Sequence, residues 1–446
     1  MNTPVADFVR AYAQSGTVRL HMPGHKGVPF VGCEPYDITE IAGADALYKA
    51  DGILRESEEN ASRLFGSAAT LYSTEGSSQC IRAMVWLAAG RAVSPKKTRP
   101  WFLAARNAHR AFLYALALAD ADVEWLWPQN ADSLCSCAVT PEQVEDALCA
   151  AADPPAAVYV TSPDYLGGML PVREIAAVCH RHAVPLLVDN AHGAYLRFLP
   201  GSLHPMDCGA DLCCDSAHKT LPVLTGGAYL HIGAGAPPEF AAHAKTAMAV
   251  FGSTSPSYLT LASLDLANRY LDGEFREKLE KKARECADLR QILAENGWET
   301  AGTEPLKLTL RCPAPLPGPK LAERLRKDGI ECEYAERGYL VFMISAETKS
   351  SELRTLAAAL GRNTCGPAAQ VPLPPVRLSR AMTVREAVFA PQERIPAPLC
   401  PGRVSASPAV SCPPAIPIAV PGEILNADAA ALFARCGIRE ILAVKE

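Results

Sequence analysis

Between residues 68 and 232, short apolar runs alternate with helical segments, and this alternation limits the possible fold more than any other feature of the chain. The runs cover 69–73, 101–104, 123–127, 157–161, 185–189, 212–214 and 226–232. Each is almost continuously apolar, so both of its faces must be covered. Helical patterns over 77–90, 108–119 and 172–182 supply that cover, with one more opened by the capping box Thr140-Pro-Glu-Gln143. Strands of this kind joined by helices predict an α/β domain on a mostly parallel sheet. In such sheets functional groups gather beyond the carboxyl ends of the strands, where Gly76, Asp189 and Lys219 fall.

Around this region the chain reads as an N-terminal arm (1–33), a large domain (34–263), a smaller α/β domain (264–366) and a C-terminal domain (367–446). The arm carries a short helix to about Gln14 and then His21-Met-Pro-Gly-His-Lys-Gly27, too rich in Pro and Gly for regular structure. Residues 34–66 predict short helices wrapping the core. A single long helix is expected over 264–295, with Phe275, Leu279, Cys286, Leu289 and Leu293 on its apolar face. Strands at 306–311 and 338–343, with helices near 319–328 and 350–361, make the smaller domain. The proline-dense segments 367–375 and 396–421 read as tight connections, because Ile416, Ile418 and Val420 are interleaved with the prolines.

With 446 residues, 49% of them apolar, the chain can bury a large core. A net charge of -5 gives no basic surface for nucleic acid. No apolar run approaches the ~18 residues of a membrane span, and the first residues lack a signal-peptide core. Sixteen cysteines without a C-x-x-C pair read as reduced thiols of a cytoplasmic protein, with no metal site expected.

Four local patterns carry chemistry. Lys219, in Asp211-Leu-Cys-Cys-Asp-Ser-Ala-His-Lys-Thr-Leu221, follows an apolar strand directly; it is either a loop lysine or an amine whose charge is suppressed by burial and which condenses with an aldehyde. Ser216 and His218 flank it and suit an anionic group. In Glu75-Gly-Ser-Ser78, Gly76, Ser77 and Ser78 make either a plain helix cap or a phosphate cup. Asp189 ends the apolar run of Leu-Leu-Val-Asp-Asn-Ala-His-Gly193, where a carboxylate needs a positive partner such as a protonated pyridine nitrogen. His109 either stacks on a flat ring or is a hydrogen-bonded structural residue. Phosphate cup, ring-stacker, aspartate and lysine, in that order, match what pyridoxal 5'-phosphate requires.

The motifs His21-Met-Pro-Gly-His-Lys-Gly27, Arg106-Asn-Ala-His109, Thr161-Ser-Pro-Asp-Tyr165, Val188-Asp-Asn-Ala-His-Gly193, Ser216-Ala-His-Lys-Thr220, Ser253-Thr-Ser-Pro-Ser-Tyr258 and Pro413-Pro-Ala-Ile-Pro417 with Pro421-Gly-Glu423 run almost end to end. In these the chain resembles the short form of the Orn/Lys/Arg decarboxylase family, within the aspartate-aminotransferase-like (fold type I) pyridoxal phosphate enzymes. The resemblance implies that Lys219 binds the cofactor aldehyde, Asp189 holds the pyridine nitrogen protonated and His109 stacks on the ring. It further implies that Gly76, Ser77 and Ser78 bind the phosphate with Ser216 and His218 beside it, and that His192 lies against the cofactor's other groups. Ser253, Thr254 or Ser255 is implied to reach a neighbouring subunit's phosphate in a homodimer or larger homo-oligomer. The implied reaction is decarboxylation of arginine, lysine or ornithine to its amine and CO2. The alternatives are aminotransfer, for which Arg311, Arg337 and Arg362 could hold a carboxylate, and a catalytically inactive regulatory homologue. Asp164 and Glu423 are candidates for the substrate's distal cation.

Three stretches depart from the family pattern. Glu75 puts a negative charge beside the phosphate loop, Arg110-Ala111 replaces the usual Lys-Ser, and Cys412-Pro-Pro-Ala415 replaces the usual Tyr-Pro-Pro-Gly. The last of these bears on substrate identity.

Overall fold

In the computed structural model, the described residues are 1–91, 99–129, 132–363, 376–410 and 415–446. They divide into two compact units, one of 1–91 with 185–280 and one of 92–184 with 281–446. The first proline-dense segment (367–375) and Cys412 lie outside the described residues.

Seven strands occupy the alternating region: β1 (Ala69–Ser73), β2 (Trp101–Ala105), β3 (Asp122–Leu126), β4 (Ala157–Thr161), β5 (Leu186–Asp189), β6 (Leu212–Asp215) and β7 (Ala228–Ile232). The first unit holds β1, β7, β6 and β5 side by side in that order. β5 and β6 are parallel, pairing Asp189 with Cys214, whereas β7 runs antiparallel to both β6 and β1. In the second unit β4, β2 and β3 lie in that order, all parallel. Mostly parallel strands with helices between them match the expected α/β fold. The exception is β7, which returns antiparallel to β6 after the connection 216–227.

Helix Ile53–Phe65 and the 3-10 turn Glu34–Tyr36 fill the stretch read as short helices. Helix Pro141–Ala150 starts with both reciprocal bonds of the Thr140–Gln143 capping box. The single helix expected over 264–295 is two, Tyr258–Asp272 and Phe275–Glu295, broken at Gly273. The backbone there takes φ -101° and ψ -117°, outside the helical region, and glycine tolerates it without strain. The apolar face read from the sequence is nevertheless buried at Phe275, Leu279, Cys286, Leu289 and Leu293.

The second unit also carries a four-stranded antiparallel sheet of β8 (Thr300–Ala301), β9 (Lys307–Arg311), β10 (Tyr334–Glu336) and β11 (Tyr339–Met343). Towards the C-terminus follow β12 (Gln392–Pro396), β13 (Ala409–Val410), β14 (Pro417–Ala419) and β15 (Glu440–Val444). Ile416, Ile418 and Val420 are buried, so the part of this proline-dense segment from 415 on is packed chain.

Arg106 holds that segment from within the same unit. Its guanidinium sits over the rings of Trp125 and Trp127 and donates to the carbonyls of Pro417 (2.8 Å) and Ile418 (3.0 Å). A planar fork with two carbonyl acceptors and two aromatic faces is a site lysine cannot fill.

Candidate active site

Of the candidate cofactor-binding residues, all but His109 lie in the first unit, at strand ends and the turns that follow them. β5 terminates in Asp189, which is buried; its Oδ1 accepts the Ala191 N–H (3.2 Å) and faces Cys214 Sγ (3.6 Å). The chain then turns through Asn190–Gly193, closed by a bond from the Gly193 N–H to the Asn190 carbonyl (2.8 Å). This turn presents His192, also buried. Beyond β6, a single helical turn, Ala217–Thr220, carries Lys219. Its ammonium is half-buried, less enclosed than the sequence suggested, and Nζ lies 3.1 Å from His192 Nε2. The two strand ends therefore meet through an amine and an imidazole.

The loop 74–77 forms the other side. Ser73 ends β1 opposite Ala228 of β7. Gly76 adopts φ +72°, and its N–H donates to the Gly226 carbonyl (2.7 Å). A β-carbon at Gly76 would meet nothing within 4 Å, so that side of the loop is open. At Gly226, by contrast, one would lie 2.6 Å from the Thr74 carbonyl oxygen. Helix Ser77–Arg91 starts immediately after Gly76, with Ser77 and Ser78 in its first turn. Ser216 Oγ donates to Ser77 Oγ at 2.8 Å, joining the lysine loop to the helix start.

Glu75 does not point its charge into this loop. Its carboxylate accepts the Ser253 N–H, and its own N–H donates to Ser73 Oγ (3.0 Å). Ser253, Thr254 and Ser255 are exposed, and here Ser253 braces Glu75 of the same chain. His218 places Nδ1 3.0 Å from the Gly227 carbonyl. Burial lowers its pKa below the ordinary imidazole range, against the opposing pull of that bond, and Lys219 adds to the lowering.

His109 lies in the second unit, at the start of helix Arg110–Ala119. Its Nδ1 accepts the Ala111 N–H (3.1 Å), so it caps that helix. Asp164 and Glu423 of the same unit are engaged structurally. Asp164 is buried and accepts the N–H groups of Leu166 (2.9 Å) and Gly168 (2.7 Å). Buried Glu423 accepts the Val420 N–H at 2.7 Å. Arg311 pairs with Asp132 and Arg362 with Asp328, at 2.9 and 2.8 Å.

Sequence reasoning passed over a buried cluster behind the strand ends: Asn190, His204, Asp215 and His231. One signal was available. Asp215 closes Leu-Cys-Cys-Asp215 as Asp189 closes Leu-Leu-Val-Asp189.

Does this donor set suit pyridoxal phosphate? An accessible primary amine, a buried carboxylate one strand away, and two hydroxyls at a helix start beside an open glycine loop are the groups its aldehyde, ring nitrogen and phosphate need. Thr220 Oγ1, next to Lys219, is also buried with no hydrogen-bond partner among the described residues. The residues fit the group.

The fold is that of the fold type I, aspartate-aminotransferase-like class. The Francisella novicida lysine decarboxylase superposes with TM-score 0.81 over 99% of this chain and 81% of its own, at 17% identity. An alanine–glyoxylate aminotransferase from Nostoc superposes at 0.55 over 69% of this chain and 85% of its own, at 16% identity. At the sequence level, the Orn/Lys/Arg decarboxylase major-domain profile matches residues 3–312. The arginine decarboxylase of Halalkalibacterium halodurans is 30% identical, with 95% of this chain and 91% of that protein covered. The chain belongs to the Orn/Lys/Arg decarboxylase family and is an amino-acid decarboxylase.

Proposed function

We propose that this chain uses pyridoxal phosphate to decarboxylate a basic amino acid, arginine in preference to lysine or ornithine, releasing CO2 and the amine. Arginine is put first because the Halalkalibacterium halodurans relative and others bear the name arginine decarboxylase. The observation that carries the reading is the 3.1 Å approach of Lys219 Nζ to His192 Nε2, in the turn that begins at Asp189.

Pyridoxal phosphate, when bound, supplies the sink for the electron pair left on the α-carbon as CO2 departs. The chain's residues then have separate tasks. Lys219 would hold the cofactor through its aldehyde. His192 takes or returns a proton at Lys219 Nζ, from hydrogen-bonding distance. Asp189, shielded from water, keeps the pyridine nitrogen protonated. Gly76, Ser77, Ser78 and Ser216 orient the phosphate at the helix start. His218, kept neutral by burial, stiffens the lysine loop through the Gly227 carbonyl. His109 is assigned to the ring face by its motif. Lys219, relayed by His192, returns the proton to the α-carbon.

We assign a homo-oligomer, most simply a homodimer. Val18, Leu20, Phe30 and Val31 of the N-terminal arm are 78–91% exposed, an apolar edge suited to a second copy. We place the protein in the cytoplasm, since every described cysteine is a free thiol. Among the described residues, no helix is long and apolar enough to cross a membrane.

The test is product analysis with arginine, lysine and ornithine. Release of CO2 with equal agmatine from arginine supports the reading. A keto acid, or no product with any of the three, overturns it.

A further inference from the structure

The buried cluster behind the strand ends has a geometry that the reaction above does not use. Asp215 is fully buried at the end of β6. His204 Nε2 and His231 Nε2 approach its Oδ2 at 2.9 and 3.0 Å, and Asn190 Nδ2 donates to its Oδ1 at 2.6 Å. Both imidazoles are held at their second nitrogen. His204 Nδ1 accepts the Met206 N–H (3.3 Å), leaving Nε2 as the protonated nitrogen. His231 Nδ1 lies 2.8 Å from Thr70 Oγ1, in register across β1 and β7. Two imidazoles and an amide therefore converge on one buried carboxylate. His204 turns its protonated Nε2 to Asp215, so the cluster reads as a hydrogen-bonded clamp.

The clamp sits between two functional segments. By its backbone Asp215 leads directly into Ser216 and Lys219, and the Lys219 N–H donates to the Ser216 carbonyl (3.0 Å). By its side chain it grips Asn190, the residue between Asp189 and the turn that carries His192. The Asn190 N–H also donates to the Cys214 carbonyl (3.0 Å), so this residue is tied to β6 twice. Phe65 closes the cluster, its ring centroid 4.5 Å from that of His231 and 5.4 Å from that of His204.

We propose that Asp215, clamped by His204 and His231, is a positioning residue: through Asn190 it fixes the spacing between the Asp189–His192 turn and the Ser216–Lys219 turn, and so sets cofactor affinity. The proposal rests on the cofactor reading above. It requires no contact between Asp215 and any ligand.

The test uses the full chain with Asn190→Ala and Asp215→Asn. Asn190→Ala releases the turn and leaves the histidine clamp intact. Asp215→Asn is the conservative rescue: its amide oxygen accepts from both histidines, and Asn190 need only reverse its amide to accept from the new NH2. Pyridoxal phosphate is titrated into folded apoprotein by fluorescence quenching. Amide hydrogen exchange of residues 189–193 is measured without cofactor. Asn190→Ala is expected to weaken cofactor binding by about tenfold or more and to speed exchange in the turn, with Asp215→Asn within about threefold of wild type in both. A folded Asn190→Ala variant with wild-type affinity and exchange overturns the proposal. So does an Asp215→Asn variant as impaired as Asn190→Ala. If wild type fails to bind the cofactor, the cofactor reading falls, and the exchange comparison alone still decides for or against the clamp.

Discussion

Gly193→Ala should loosen the site, for a reason that can be worked through in distances. The backbone at Gly193 (φ -122°, ψ 14°) is open to any residue, so alanine adds no conformational strain. Its β-carbon, however, would stand 2.0 Å from Asn190 Oδ1 and 2.8 Å from Leu196 Cδ1. Restoring an ordinary 3.4 Å contact moves the Asn190 amide by about 1.4 Å. A shift of that size directed away from Asp215 opens the 2.6 Å bond to roughly 4 Å, beyond hydrogen-bonding range. Losing a buried bond to a charged acceptor costs about 1.5–3 kcal/mol. Crowding Leu196 brings the total to about 2–4 kcal/mol. For a unit of this size the melting temperature should drop by roughly 4–16 °C, and cofactor affinity should fall with it. Gly76→Ala is the control. There the β-carbon meets nothing, and only the left-handed φ of +72° costs stability, about 1–2 kcal/mol. Calorimetry of the apoproteins and cofactor titration read both variants. A Gly193→Ala protein that melts and binds like wild type would refute the reasoning.

Lys219→Ala should abolish turnover while the chain stays folded; near-normal rates by CO2 release would remove the lysine from the chemistry. Glu75→Gln should change pyridoxal phosphate affinity by less than about threefold, because the carboxylate is turned to the Ser253 N–H. A large gain in affinity on titration would mean that its charge faces the phosphate. Stability should also fall on acidification. Burial holds His231 and His218 below the ordinary value of 6.5, so the unfolded chain takes up protons first. Their contribution is complete above that value and is lost as pH falls from it through their lower folded values. Asp215, held low by its two histidines against the cost of burial, adds a further loss below the ordinary carboxylate value of 3.8. Melting temperatures of the apoprotein from pH 8 down to 3 check this, and a rise on acidification would contradict it.

The seven strands of the alternating region were legible because a run buried on both faces must be apolar throughout, and each lies within two residues of its expected position; β8, β10 and β12 to β15 were not expected. The break at Gly273 was not, since the buried stripe continues across it and a glycine inside a helical pattern is ambiguous. At the site, Asp189, Lys219 and Gly76 stood out as charge or flexibility at the end of an apolar run. Asp215 carried the same signal, but its meaning depends on His204 and His231. One is on a loop and the other on the returning strand, and only the antiparallel pairing of β7 with β6 brings His231 to the carboxylate. The role of Glu75 was hidden likewise, because Ser253 is distant in sequence.

The account's central claim is that Lys219 is the residue that binds the cofactor. Borohydride reduction of the protein loaded with pyridoxal phosphate, followed by peptide mapping, tests it most directly. The account predicts one pyridoxyl label, on the peptide containing Lys219, and none in Lys219→Ala. A label on another lysine, or none in a protein that still decarboxylates its substrate, would contradict it.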